Sequence, residues 1–464
     1  MVATELLPLQ QEQLPQQQPA SCEPNDLQVD FKQCKREVDV TTNWTSDKFG
    51  ERRIGVALVG LGRMGLIHFR NLLREPRARI LYCIDSDHSQ LSACSKSMHF
   101  REFGIQALHS DQYEEVALRD PQVSVVIIAT PTSQHEHQTR LALQAGKSVM
   151  CEKPLTPNTN NIIQLHELAR ANRVYLLTAF NRRYDPDFRQ MRQQLLANRI
   201  GCLQMVRVTA RDCRPPPLSY VRASSGLFHD ACIHDIDLCL WMARQLPVSI
   251  QVLGKTWKEF YLNDREQLAK LSADDRELLG KIDDYFMAII TMKFTDGSLA
   301  LIDNSRQASY GYDQRCELYG SSGMLKCDGK SPTSVIECTA AAIKHPTLAD
   351  GFATRFNDAY ENELQDILSM AELAQRASEE ETKTQANGRR DDELTTAVID
   401  GTEMVNKMLD KLEREHLLEP VRASLVLATH TIADACLEAA KSGQTIQMNW
   451  PDWLRRQFEL EMQR

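Results

Sequence analysis

Three side chains of this 464-residue sequence stand where acid–base chemistry is plausible on residue type and spacing: Lys153, Asp230 and His234. Asp230 and His234 are four residues apart in Gly226-Leu227-Phe228-His229-Asp230-Ala231-Cys232-Ile233-His234, so a helix would set them on one face. Leu227, Phe228, Ala231, Ile233, Leu238 and Trp241 supply apolar surroundings. An imidazole beside a carboxylate in such a setting can accept a proton near neutral pH. A satisfied structural histidine remains open on spacing alone, and Asp237 is more ambiguous still. Lys153 lies in Cys151-Glu152-Lys153-Pro154, directly after an apolar run. Burial disfavours a lysine's charge, which argues against an idle Lys153 at the mouth of an apolar crevice. Pro154 restricts the backbone beside it and permits a cis peptide that would aim the lysine inward. An ordinary surface-loop lysine is an equal reading of the same spacing.

These residues need elements that bring them together. Ile54 to Val59 reads as a buried strand, and Gly60-x-Gly62-x-x-Gly65 follows at once, with Arg63 and Met64 inside the turn. A helical pattern then carries Leu66, Ile67, Phe69 and Leu72. A strand turning on glycines into a helix gathers bare N–H groups and the positive helix end at one point, which suits a pyrophosphate. The glycine pattern is a weak signal alone; the strand before it and the helix after it give it weight. Asp85 ends the next strand, twenty residues after Gly65, where a carboxylate accepts hydrogen bonds from ribose hydroxyls and repels a 2′-phosphate. NAD is therefore expected over NADP. Val123 to Ala129 is the clearest buried strand; it runs into Thr130-Pro131-Thr132, Gln134 and His135. Its loop would pass near a nicotinamide ribose, as would Glu152 and Lys153 after the following strand. His135-x-His137 lacks a third metal ligand, so no metal is expected.

Strands and helices alternate from Ile54 to Ala179, which predicts a parallel sheet with helices on both faces. Beyond residue 200 the pattern changes to longer strands at Leu203–Ala210, Val248–Thr256, Tyr285–Phe294 and Leu299–Asn304, with a hairpin at Asp296-Gly297. The expected architecture is α/β: a Rossmann domain over residues 51–180, then an α+β domain over 181–464 with a largely antiparallel open sheet. The first twenty residues hold six Gln and three Pro, so residues 1–50 are read as a disordered arm. Asn263 to Asp284 has eleven charged residues in twenty-two, and Glu379 to Glu393 nine in fifteen. Both predict solvated insertions, near 263–284 and 375–418, rather than core. Residues 421–441 predict an amphipathic helix, and Pro451 the opening of a last short one. A formal charge of −9 argues against nonspecific nucleic-acid binding. Thirteen scattered Cys without a CxxC pair fit reduced thiols. No apolar run nears the roughly 20 residues of a membrane span, and the N-terminus lacks a signal pattern, so a cytoplasmic protein is expected.

Taken in order, VALVGLGRMGLIH, IDSD, VVIIATPTSQH, CEKPL, FNRRYDP, the Asp230/His234/Asp237 helix, NSRQASYGYDQRCELYGSSGML and ATHTIADACLEAAKSGQTI resemble the glucose–fructose oxidoreductase/inositol dehydrogenase (Gfo/Idh/MocA) family. YGYDQR and RRYD are most similar to its myo-inositol 2-dehydrogenase branch. The resemblance implies an NAD-dependent dehydrogenase acting on a secondary hydroxyl of a cyclic polyol or sugar, as a homodimer or homotetramer. It assigns catalysis to Lys153, Asp230 and His234, and polyol contact to Arg182, Tyr310 and Tyr312 as well. Asn181, Ser225 and Ala231 depart from the branch's usual Met, Gly and Thr, which leaves the polyol open. Another sugar or trans-dihydrodiol dehydrogenase, or a non-catalytic NAD-binding regulator, stands as the alternative.

Overall fold

The computed structural model describes residues 53–386 and 421–463. The proposed arm at 1–50 and the part of 375–418 between residues 387 and 418 lie outside them.

Six parallel strands form the first sheet: β1 (Ile54–Val59), β2 (Ala78–Asp85), β3 (Gln106–His109), β4 (Val123–Ile128), β5 (Ser148–Glu152) and β6 (Leu176–Ala179), in the order β3-β2-β1-β4-β5-β6. IGVALV and VSVVII make the two central strands because β-branched and aliphatic side chains tolerate cover on both faces. The chain steps outward from β1 to β3 and then returns to β4 beside β1. This reversal opens a crevice at the carboxyl ends of β1 and β4, where ligands of such sheets bind. The Rossmann expectation holds, with element ends displaced by a few residues.

The second sheet has β7 (Leu203–Arg211), β8 (Pro247–Thr256), β9 (Tyr285–Phe294), β10 (Leu299–Ser305), β11 (Asp313–Gly320), β12 (Gly323–Cys327) and β13 (Ile446–Gln447), in the order β12-β11-β7-β10-β9-β8-β13. Only the β7–β10 pair is parallel. Gly297 takes φ +88° in the β9–β10 hairpin, and Asp296 Oδ1 accepts from the Ser298 backbone at 2.9 Å. The helices Cys232–Ala243 and Ala423–Ser442 pack on one face of the sheet, while Leu253, Ile289 and Leu299 are exposed on its strands.

Two expectations are refined. The helix at Ala423–Ser442 is amphipathic but its polar face is narrow: Leu425, Val426, Ala428, His430, Ile432, Ala433 and Cys436 are all buried, and Asp434, Glu438 and Lys441 mark the exposed strip. It lies against the second sheet and the helices Asn161–Ala171, Gly226–Asp230 and Cys232–Ala243, so it is covered on several sides. The chain also does not divide into two sequential blocks. The long helix Asn357–Ala386 returns to the first sheet and packs against β1, β4, β5 and the helix Arg63–Arg74. Arg77 Nη1 donates to Ser369 Oγ at 3.0 Å and Gln375 Nε2 to Ser124 Oγ at 2.6 Å along that seam.

The charged stretch 263–284 is helical, as allowed, but it is not merely solvated. Its apolar residues recur at helical spacing and close over a separate small core. Leu279 and Ile282 join Trp257, Tyr261, Phe286, Leu218 and Val221 there, with Leu268, Leu271 and Leu278 packed against the edge. The high count of charged side chains hid this face. Asp284 ends the stretch by accepting the Leu227 N–H at 2.9 Å, which fastens the start of the Gly226–Asp230 helix. Leu279→Ala should therefore cost roughly 2–5 kcal/mol in a denaturant titration. A loss below about 0.5 kcal/mol, the usual surface value, would restore the solvated-insertion reading.

Candidate active site

The glycine turn is built for close backbone approach. Gly60 has φ +93°, and a Cβ there would stand 2.5 Å from Ala129 O; a Cβ on Gly65 would stand 1.9 Å from Gly60 O. At Gly62, the N-cap of the helix starting at Arg63, a Cβ would meet nothing within 4 Å and no side chain caps the helix. An anion fits that position. Asp85 secures the turn: its Oδ2 accepts the Leu61 N–H at 2.6 Å and its Oδ1 the Asp87 N–H at 2.8 Å. Arg63 lies over the Phe352 ring at 4.5 Å, and Met64 is partly buried in the first turn. These residues fit a dinucleotide, with the pyrophosphate at Gly62 and Arg63 and the adenosine end toward Asp85.

The loops after β4 and β5 flank the same crevice. Thr130 Oγ1 donates to Gln138 Oε1 at 2.6 Å, and Pro131 precedes the helix Thr132–Gln144. His135 is buried with Nδ1 2.7 Å from Pro154 O and Nε2 2.8 Å from Thr130 O. Glu152 is held by His68, Oε1 to Nε2 at 2.8 Å. The Lys153–Pro154 peptide is cis. Among the described residues no group of three or more His, Cys, Asp or Glu is placed to hold a metal ion.

Lys153 reaches across to the second domain. Its Nζ donates to Asp230 O at 2.6 Å and lies 3.2 Å from Asp230 Oδ1. Arg306 Nη2 donates to Asp230 Oδ2 at 2.9 Å, and the Tyr220 hydroxyl lies 3.1 Å from both carboxylate oxygens. Burial pushes the Asp230 carboxyl up, but Lys153 and then Arg306 outweigh it and hold the group well below the usual carboxylate range. Arg306 also stands 3.7 Å from Asp212, whose carboxyl burial raises against that arginine's pull.

Asp230 ends one helix and His234 lies in the first turn of the next, Cys232–Ala243, with Ala231 between them. Asp230 makes no hydrogen bond to His234; its oxygens are taken by Lys153, Arg306 and Tyr220. The His234 ring meets Phe180 edge-on at 6.4 Å, and its Nδ1 is buried without a hydrogen-bond partner. Burial, then the positive charges of Lys153 and Arg182, depress its pKa well below the ordinary histidine value. A neutral imidazole with a free lone pair results. That is a base.

The sequence-assigned polyol residues are distributed unevenly. Arg182 is buried in an ion pair with Asp235, which also accepts from Asn304 Nδ2 at 2.8 Å. Tyr312 is buried, edge-on to Phe356 at 6.4 Å, and Arg182 and Asp212 both act on its hydroxyl. Tyr310 is 53% exposed and its hydroxyl donates to Asp313 at 2.9 Å, so it stands at the rim. Asp237, ambiguous in the sequence, forms a buried bidentate pair with Arg183 at 2.8 and 2.9 Å. Sequence reasoning missed Tyr220, Arg306, Asp212 and Asp235. Only Arg306 and Asp235 fell inside motifs already singled out, and nothing local marked their partners.

Two family models match this chain: an oxidoreductase family with an NAD-binding Rossmann fold over residues 54–180, and the GFO/IDH/MocA C-terminal domain over residues 188–326. The chain is 33% identical to an uncharacterized oxidoreductase, YrbE, of Bacillus subtilis, over 68% of this chain and 85% of that one. It is also 33% identical to a myo-inositol 2-dehydrogenase of Thermotoga maritima, over 68% and 87% of the two chains. The crystal structure of a putative myo-inositol dehydrogenase from Sinorhizobium meliloti superposes with a TM-score of 0.65 at 25% identity, covering 85% of this chain and all of the other. With both domains matched and a dinucleotide-type glycine turn joined to a Lys/Asp/His cluster, the chain belongs to the Gfo/Idh/MocA oxidoreductase family.

Proposed function

We propose that this protein oxidises a secondary hydroxyl of a cyclic polyol of the inositol type, using NAD. The observation that carries the reading is the Lys153–Asp230 contact at 3.2 Å across the domain junction, with, in the helix that follows, a His234 whose buried Nδ1 has no hydrogen-bond partner. His234 takes the hydroxyl proton. Lys153 donates a hydrogen bond to the same oxygen and stabilises the alkoxide as it forms. Asp230 holds Lys153 and Arg306 in place and balances their charge, so the ammonium is aimed before substrate arrives. The nicotinamide supplies the hydride acceptor when bound. Arg182 and Tyr312 would line the polyol pocket, with Tyr310 at its rim. Relatives named as inositol dehydrogenases support the substrate class, and the placement of Asp85 at the end of β2 supports NAD over NADP. The exposed Leu253, Ile289 and Leu299 on the second sheet support self-association as a homodimer or homotetramer.

Removing the base or the ammonium should lower turnover on inositol by about 10²–10⁴ while NAD still binds. His234→Ala and Lys153→Ala, assayed by steady-state kinetics beside a cofactor-binding titration, test this; near-normal turnover in either would remove that residue's role. Protonation abolishes the base, and His234's pKa is depressed. The acid limb of kcat/KM should thus lie below the histidine reference of about 6.5. An acid limb at or above that value would contradict a neutral, buried His234. Like charges set side by side cost several kcal/mol, so NAD should be favoured over NADP by roughly 10²-fold in kcat/KM. A preference for NADP would overturn the assignment of Asp85.

A further inference from the structure

We propose that His135 is held as an imidazolium that staples the loop after β4 to the loop after β5, and thereby positions Lys153. The ring is 2% exposed and meets two backbone carbonyls, Pro154 O at 2.7 Å from Nδ1 and Thr130 O at 2.8 Å from Nε2. Carbonyl oxygens only accept. A neutral imidazole has one N–H, so one of these contacts would set lone pair against lone pair unless both nitrogens are protonated. No water can reach between them at that distance. The two carbonyls belong to the two cofactor-flanking loops, and Pro154 is the residue after Lys153. One doubly protonated ring therefore ties the Pro154 carbonyl, one residue beyond Lys153, to the Thr130 carbonyl, and Thr130 Oγ1 is also fastened to Gln138 at 2.6 Å.

The surroundings tolerate that charge. Burial by itself lowers the pKa of the ring, but the adjoining Cys151 sulfur and the Pro154 and Thr130 carbonyls outweigh it and raise the value to about 9. The titratable groups facing the ring are Cys151, from β5, and Tyr113 beyond it, whose hydroxyl donates to Gln138 O at 3.0 Å. The Lys153 ammonium is committed to Asp230 on the other side of the loop. His135 thus acts through Lys153 as a positioning residue, a role distinct from contact with the cofactor. The kinetic consequence rests on the dehydrogenase reading above; the protonation state does not.

Two measurements separate these parts. Neutron diffraction from deuterated crystals at about pD 8, above the ordinary titration of histidine, should show deuterons on both Nδ1 and Nε2 of His135. A single deuteron would overturn the imidazolium staple, whatever the enzyme turns over. His135→Gln puts both of its N–H donors on one nitrogen and adds a carbonyl oxygen, so it cannot present a separate nitrogen to each of the two carbonyls. Its kcat per folded molecule, with the folded fraction set by circular dichroism, should fall on the order of tenfold or more, because displacing a reacting group by an ångström is that costly. A kcat per folded molecule equal to wild type would reduce His135 to a structural contact. Should wild type oxidise no polyol, the activity reading fails on its own. NAD affinity of His135→Gln then replaces kcat, with weaker binding expected and unchanged binding overturning the positioning role.

Discussion

The Asp230 carboxylate is the constraint on which the site depends. It sits at a domain junction, 13% exposed, and an unpaired charge in such a place would be strongly unfavourable. Lys153 satisfies it from the first domain, and Tyr220 and Arg306 from the second. Breaking a buried ion pair by removing one partner typically costs about 3–5 kcal/mol, so neither domain holds this carboxylate comfortably alone. The ion cluster therefore does two jobs. It registers the loop after β5 against the second sheet, and it fixes Lys153 Nζ beside the Asp230 carboxylate.

The elements around that junction are arranged to keep it closed. The long helix Asn357–Ala386 leaves the second domain and covers the first sheet. The buried helix Ala423–Ser442 touches both the helix after the Lys153 loop and the segment carrying Asp230, and Asp434 bonds His229 at 2.9 Å and Thr159 at 3.0 Å. Asp284, at the end of the charged stretch, fastens the start of the Asp230 helix. Each of these contacts is remote in sequence from the chemistry. His234 lies in the helix that follows, where burial with the charges of Lys153 and Arg182 depresses its pKa.

What the sequence disclosed is what local rules govern. Gly60 to Gly65, the VSVVII strand and Lys153 before Pro154 read correctly as to element, because the turn, the two-sided burial and the loop are set by neighbours within a few residues. The Asp230/His234 face was legible for the same reason, although Ala231 divides it between two helices and no hydrogen bond joins the pair. Pairings across the fold were not legible. Arg306 is 76 residues from Asp230, and the Arg182–Asp235 pair spans 53. The sequence also gives no hint that Asp434 and Asp284 buttress the site. Charge density misled at 263–284, where Leu279 and Ile282 form a core face among acidic and basic neighbours. Amphipathic spacing read correctly at Ala423–Ser442, although packing on several sides leaves only the narrow strip of Asp434, Glu438 and Lys441 exposed.

The central claim is that this site removes a hydride from the carbon bearing a secondary hydroxyl of a cyclic polyol. Its most direct test is deuterium transfer: the wild-type protein is given NAD and inositols deuterated at the carbinol carbons, and the reduced cofactor is examined by mass spectrometry. The account predicts deuterated NADH formed in equal amount with an inosose for at least one inositol isomer. Tight NAD binding with no labelled NADH from any inositol would contradict it, and would turn the Lys153–Asp230–His234 constellation into the architecture of a binding protein.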